Sequence, residues 1–397
     1  MSIKVIVVDD AVVFRKLISD TLTRIKGIEV IAVAGGGRSA IAKIQALKPD
    51  LITLDIEMPE MDGFQVIEEI RNLNLKTDIV VVSSFTARGS KLTIKALKMG
   101  AFDFVTKPSR STYEENRNDL LAELEQILNV YQRRREIKEI FSSAKTASQK
   151  KITNFSLIPE QKERAWLKPD FSDKKKAKVS DRSKPSMVLI AVSTGGPRAL
   201  SELIPRLPKH IGVPIFVVQH MPPVFTKSLA EDLNERSALY VKEAENAEKA
   251  RQDTVYIAPG GKQMKLNSTS SGGIEILISD DPPEKNCKPS ADYLFRSSAN
   301  SFPGRAMAII LTGMGDDGTL GLRLLKRHKC IAIAQDEASS VVFGMPKAAI
   351  ETGFVDCILP IEKISDEIVS KLGVGNNEES KSLVNYCEKS MFMFCEN

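Results

Sequence analysis

The sequence predicts an α/β protein: two doubly wound, mostly parallel sheet domains joined by a long linker. Three observations carry that prediction. Short β-branched runs alternate with helix-period segments through the first third of the chain. The alternation stops in a Ser- and Lys-rich stretch and resumes at Met187. At 397 residues the chain also exceeds what one ordinary core organises, so two domains are expected.

The first strand is the apolar run Ile3–Val8, followed by an amphipathic segment over residues 14–25. Further β-branched or aromatic runs lie at 30–34, 51–54, 79–82 and 102–105, with helix-period segments at 38–47, 64–73 and 91–99 between them. Strands alternating with helices make a parallel sheet, and a last helix over about 114–131 closes the domain. From 132 to 185, Arg133-Arg134-Arg135, Lys150-Lys151 and Lys174-Lys175-Lys176 punctuate a stretch whose few apolar residues lack a sustained period. It reads as a partly disordered linker. The second set of strands is Met187–Val192, then 214–218, 255–258, 306–311 and 330–334, with a hairpin-like pair at 263–266 and 274–278 around a Ser/Gly turn. The expected boundaries are therefore 1–131, 132–185, 186–372 and a tail over 373–397, to which no role is assigned.

Composition excludes several function classes. Apolar residues make up 42% and charged residues 27%, as in ordinary globular proteins, and no apolar run approaches the length of a membrane span. No membrane insertion is expected, and with a strand directly after Ser2 no signal peptide is expected either. The net charge of +5 sits in the linker rather than on a helix face, so nucleic acid is not an expected partner. Five cysteines without a C-x-x-C pair or metal-ligand spacing suit a reducing cytoplasm.

Asp9 and Asp10 follow the first strand, and Asp55 follows the third. In an open parallel sheet such strand ends gather where ligands bind. Three carboxylates there repel one another unless a hard cation such as Mg2+ neutralises them. Lys107 after the fifth strand could pair with a transferred phosphoryl group, and Ser83 offers it a hydroxyl. Each residue alone would suit a solvated loop; the set is hard to explain that way. With Asp55-Ile56-Glu57-Met58-Pro59, Asp62-Gly63 and Lys107-Pro108, the segment resembles bacterial response-regulator receiver domains. The resemblance implies phosphorylation of Asp55 by a histidine kinase. It also implies Mg2+ on Asp10, Asp55 and the Glu57 carbonyl, with Asp9 acting through water, and Ser83, Phe104 and Lys107 as switch residues. Gly35-Gly36-Gly37-Arg38 departs from the family's usual Asp-Pro helix start, and a more mobile loop is expected there.

The second constellation begins at Ser193, which ends a strand and precedes Thr194-Gly195-Gly196-Pro197. The glycines allow a sharp turn with backbone N–H groups aimed at the serine's space, and Pro197 suits the first turn of a helix. Those are the needs of an acyl-transfer nucleophile, although an anion-binding loop or helix cap has the same look. His220 ends the next strand and is the one general-base candidate at a strand end; His210 and His328 lie in linking or helical segments. The third segment, Leu311-Thr312-Gly313-Met314-Gly315-Asp316-Asp317-Gly318, supplies two adjacent acids, of which one could orient the imidazole. Local chemistry does not choose between them.

The same segment contains Gly313-x-Gly315-x-x-Gly318, with Asp336 about 20 residues beyond, which mimics a dinucleotide fingerprint. Two carboxylates in that turn would oppose a pyrophosphate. A DNA-binding output domain is the other alternative, but no helix-turn-helix pattern is present. Together, Ser193-Thr194-Gly195-Gly196, Gln219-His220-Met221-Pro222-Pro223 and the Gly313–Gly318 segment resemble the chemotaxis protein-glutamate methylesterases, the CheB family. Ala258-Pro259-Gly260-Gly261 and Val341-Val342-Phe343-Gly344-Met345-Pro346 add to the resemblance, which covers about 187–370. It implies Ser193 as nucleophile, His220 as base and then acid, and Asp317 as its orienting partner. Met314 would donate its main-chain N–H to the oxyanion, with Thr194 as auxiliary. It further implies chemoreceptor glutamate methyl esters as substrates, possible deamidation of receptor glutamines, and no cofactor for the ester chemistry. Ala191, where glycine is common, is a modest departure.

Overall fold

The computed structural model describes residues 2–149 and 184–374, with side chains omitted for 137–149. The Lys150-Lys151 and Lys174-Lys175-Lys176 runs and the tail beyond residue 374 lie outside the described residues.

Burial on both faces is what selects continuous β-branched runs over alternating ones. The first five strands, β1 (Ile3–Val8), β2 (Ile28–Ala34), β3 (Leu51–Asp55), β4 (Asp78–Ser83) and β5 (Asp103–Thr106), form one sheet in the order β2-β1-β3-β4-β5. Every pairing is parallel. Helices α1 (Val12–Leu22), α2 (Gly37–Leu47), α3 (Gly63–Asn72), α4 (Ala87–Lys98) and α5 (Tyr113–Gln149) connect and cover it. Because β1 lies beside β3, Asp9 and Asp10 emerge next to Asp55 at the carboxyl edge.

The expected end of the last helix near residue 131 is corrected: α5 runs on to Gln149. The arginine run that reads as linker contains no Gly or Pro, and long straight side chains are good helix formers. It is also anchored, since Arg135 pairs with Asp50 at 2.8 Å and the Tyr131 hydroxyl donates to the Asp50 carbonyl at 2.9 Å.

The second unit has seven parallel strands: β6 (Met187–Val192), β7 (Ile215–Gln219), β8 (Tyr240–Glu243), β10 (Thr254–Ile257), β13 (Ala306–Ile310), β14 (Ile331–Gln335) and β15 (Cys357–Leu359). Their order is β15-β14-β13-β6-β7-β10-β8. The chain grows outward from β6 through β7 on one side, then returns to β13 on the other. That reversal is a topological switch point, and it puts three strand ends side by side. Strands β9 (Glu248–Lys249), β11 (Gln263–Ser268) and β12 (Ile274–Ser279) make a small antiparallel sheet. The helices are α6 (Gly196–Leu203), α7 (Phe225–Arg236), α8 (Ala291–Ser301), α9 (Thr319–Arg327), α10 (Met345–Glu351) and α11 (Ile361–Leu372).

The two units dock through α4 and α7. Phe225, the first residue of α7, is fully buried, with its ring 4.6 Å from Phe104 and 6.1 Å from Phe85 of the first unit. A buried Ser90–Ser228 hydrogen bond of 2.6 Å and ion pairs Lys91–Glu231 and Lys98–Asp232, at 2.9 and 2.5 Å, surround it. A ring enclosed from both units cannot be removed without a cavity. Phe225→Ala should cost about 3–5 kcal/mol in urea denaturation of the full chain. A loss under about 1 kcal/mol would mean that the ring packs loosely and does not tie the units together.

Candidate active site

Ser193, His220 and the Gly313–Gly318 turn follow β6, β7 and β13, which are adjacent strands, so the sheet order itself assembles them. The turn after Ser193 is tight: Gly195 has φ +79°, and a Cβ there would sit 2.5 Å from Val341 Cβ. On the facing segment a Cβ at Gly313 would meet Ser193 Cβ at 2.7 Å. The Ser193 N–H donates to the Thr312 carbonyl at 3.0 Å, and Gln219 Nε2 donates to the Ser193 carbonyl at 3.0 Å. The nucleophile candidate is thus held from both neighbouring strands.

His220 Nε2 lies 2.8 Å from Asp317 Oδ2. Asp317 is 2% exposed. Its Oδ1 accepts from the Ser290 hydroxyl and the Asp292 N–H, each at 2.9 Å, and from the Gly318 N–H at 3.0 Å. The Ala291 N–H donates to Oδ2 at 2.7 Å. All but Gly318, the residue before α9, belong to the N-terminus of α8, where unpaired N–H groups and the helix dipole favour an anion. Burial works against the carboxylate's charge, but His220 and the α8 N–H groups outweigh it and hold Asp317 below its ordinary pKa. Burial likewise opposes a charged His220, yet Asp317 and the Cys287 sulfur push the imidazole up to about 9. Asp316, by contrast, points outward to Lys285 at 2.9 Å.

The other ring nitrogen, His220 Nδ1, faces Cys287 Sγ at 3.8 Å. Among the described residues, no hydrogen bond joins Ser193 Oγ to His220. Both residues line a cavity of about 610 Å3, together with Met314 and, from the first unit, Asp103, Phe104 and Ile127. The Met314 N–H has no hydrogen-bond partner among the described residues. Thr194 is committed elsewhere: its hydroxyl donates to Asp103 Oδ2 across the domain boundary at 2.8 Å. Burial pushes Asp103 up to about 6, against the Thr194 hydrogen bond that lowers it.

At the carboxyl edge of the first sheet, Asp9, Asp10 and Asp55 bring oxygens within 4.8 Å of one another. Lys107 Nζ lies 2.6 Å from Asp55 Oδ2 and 3.0 Å from Asp9 Oδ2. Asp9 Oδ2 is buried and is satisfied by that ion pair without hydrogen-bond geometry. Burial raises the Asp55 pKa against the lowering effect of Lys107. An all-oxygen, anionic set of this kind fits Mg2+. The Glu57 N–H approaches Asp55 Oδ1 at 3.4 Å, while its side chain pairs with Arg88 at 3.0 Å. Ser83 is buried beside the pocket, its hydroxyl donating to the Gly89 carbonyl at 3.1 Å.

Sequence reasoning missed Cys287, Asp103 and the α8 N-terminus. Ser290 before an apolar run is legible as a helix N-cap, but nothing local says that the helix end receives Asp317. The turn that mimics a dinucleotide motif instead points Asp317 at α8, and Asp336 accepts hydrogen bonds from Ser339.

An NMR titration of the His220 ring should give a value near 9. Asp317→Asn should lower it, because the carboxylate's charge stabilises the protonated ring more than the neutral one, whereas Asp316→Asn should leave it in place. A ring that titrates alike in wild type and Asp317→Asn would mean that this carboxylate does not govern His220.

Two family models match the chain: the response regulator receiver domain over residues 5–115 and CheB methylesterase over residues 188–368. The protein-glutamate methylesterase/protein-glutamine glutaminase of Desulfotalea psychrophila is 46% identical over 374 residues, covering 93% of this chain and 98% of the relative. The protein of the same name from Bacillus subtilis is 42% identical over 370 residues, with 93% and 98% covered. The crystal structure of the Thermotoga maritima CheB methylesterase catalytic domain is 43% identical, with a TM-score of 0.46, and covers 47% of this chain and 98% of that one. The chain belongs to the protein-glutamate methylesterase/protein-glutamine glutaminase family, with a response-regulator receiver domain ahead of a methylesterase domain.

Proposed function

We propose that this protein hydrolyses glutamate γ-methyl esters on the cytoplasmic helices of chemoreceptors, under control of Asp55 phosphorylation, as a step of chemotactic adaptation. The observation that carries this reading is the shared cavity: Ser193, His220 and Met314 face it from one domain, and Asp103 and Phe104 from the other. The domain limits belong to the same proposal, the first domain continuing past residue 131 along α5 and the second spanning 186–372, as does a cytoplasmic place of work. No helix of the described residues is long and apolar enough to cross a membrane.

In this mechanism Ser193 Oγ attacks the ester carbonyl as His220 takes its proton through Nδ1, the nitrogen that Asp317 leaves available. Only the neutral ring can do so, and with the ring pushed up to about 9 that form grows as pH rises toward 9. The Met314 N–H stabilises the oxyanion. The protonated ring then donates to the leaving methanol, and water attacks the acyl-serine with His220 again as base. Receptor glutamine follows the same path with ammonia as leaving group. No cofactor enters these steps.

Asp55 receives the phosphoryl group from a histidine kinase. Asp9, Asp10, Asp55 and the Glu57 carbonyl would hold Mg2+, which offsets the phosphoryl charge when bound. The added negative charge draws on Lys107 and Ser83, and Phe104 responds by repacking against Phe225. The covered state fits an inactive form, because Ser193 lacks its bond to His220 and Thr194 is held by Asp103. A ten-fold rise in a minor uncovered state needs only about 1.4 kcal/mol of bias.

Methanol release from methylated receptor membranes tests the reading. A fragment starting at Lys184 should outpace the unphosphorylated full chain by about ten-fold or more. Wild type should accelerate with acetyl phosphate and Mg2+, and Asp55→Ala should ignore them. An Asp55→Ala protein that still responds removes Asp55 from the mechanism. A fragment no faster than the full chain means that the receiver does not cover the site.

A further inference from the structure

We propose that Cys287 and His220 form a binding site for Zn2+, or another divalent cation of similar softness, and that the cation shuts the esterase off. Two clusters of potential metal ligands occur among the described residues. One is the acidic set at Asp55; the other is His220, Cys287 and Asp317, whose donor atoms lie within 4.8 Å of one another. The proposed ester chemistry gives Cys287 no part, so its place against the ring calls for a separate account.

The geometry is that of a metal chelate. Zn–S of about 2.3 Å and Zn–N of about 2.1 Å at a tetrahedral angle separate sulfur from nitrogen by about 3.6 Å. Cys287 Sγ and His220 Nδ1 are 3.8 Å apart. Asp317 has the complementary position: it holds Nε2 at 2.8 Å, on the side of the ring away from the thiol. Metal-binding histidines generally carry such a carboxylate on the second nitrogen, which orients the ring and raises its basicity. Here α8 and Ser290 fix that carboxylate, so the ring is oriented before any metal arrives.

Cys287 is half-buried on the loop before α8 and borders the solvent-connected cavity. A cation reaching Nδ1 and Sγ would complete its shell with water on the cavity side. Cys287 binds as thiolate, and its proton leaves to solvent. The sulfur makes the site prefer Zn2+ to Mg2+, whereas the oxygens of Asp9, Asp10 and Asp55 suit the reverse. With Nδ1 bound to metal, His220 cannot take the Ser193 proton. The inhibition therefore rests on His220 as the base; the metal site does not.

The test titrates the full chain with Co2+ as a coloured stand-in for Zn2+ and follows thiolate-to-metal charge-transfer absorption. The acidic receiver site contains no thiol, so it gives no such band. Wild type should develop the band, and Zn2+ should bleach it. Cys287→Ala should lose it, as should Cys287→Ser, which keeps the side chain's size. In parallel, the Zn2+ concentration for half-inhibition of demethylation should rise about ten-fold or more in either variant. A band that survives both substitutions overturns the site, as does equal Zn2+ sensitivity in wild type and variants. A band lost in the variants while Zn2+ leaves wild-type demethylation intact overturns the inhibition and contradicts His220 as the base, but leaves the metal site standing.

Discussion

A carboxylate that is 2% exposed is held charged at the centre of this site, by His220 first and by the N-terminus of α8 beside it. Asp317 takes hydrogen bonds from Ser290, Ala291, Asp292, Gly318 and His220. Those bonds join the turn that carries Met314 to α8 and hold the imidazole with Nδ1 toward Cys287. The ring's basicity and its orientation toward Cys287 depend in large part on that one buried charge.

The receiver meets this assembly through a short lever. Strand β5 has four residues, and Asp103 and Phe104 at its start touch Thr194 and Phe225 of the esterase domain. Lys107, one residue past its end, pairs with Asp55. On the proposed reading, a change in the charge at Asp55 acts on the strand that also holds the residue after the nucleophile. The other contacts, α4 against α7 with two ion pairs and one serine pair, are polar around a single aromatic cluster. Interfaces of this kind within a chain separate readily.

Much of this was legible from the residues. Both parallel sheets follow from the β-branched runs, and Ser193 and His220 stand out at strand ends; between Asp316 and Asp317 only the family resemblance chooses, because both lie in the turn beyond β13. The adjacency of the three strand ends was not legible, because it depends on the strand order reversing at β6. Edge elements escaped for local reasons: β8 is Tyr-Val-Lys-Glu, with its tyrosine exposed, β9 has two residues and β15 has three. The charged run after Tyr131 looked like linker because its ion-pair partners Asp50 and Asp78 lie far back in the chain. Asp103 and Cys287 were missed for the same reason: Thr194 lies 91 residues from the first, and His220 lies 67 residues from the second.

On the proposed mechanism Ser193, His220 and Asp317 work as one unit, and a mutant cycle on demethylation rate puts that to the test. Groups that act together lose nearly everything when one is removed, so a second removal has little left to take. Ser193→Ala and His220→Ala should each abolish nearly all turnover, with the double mutant little worse than either. Single losses that multiply in the double mutant would show two independent contributions and contradict the triad.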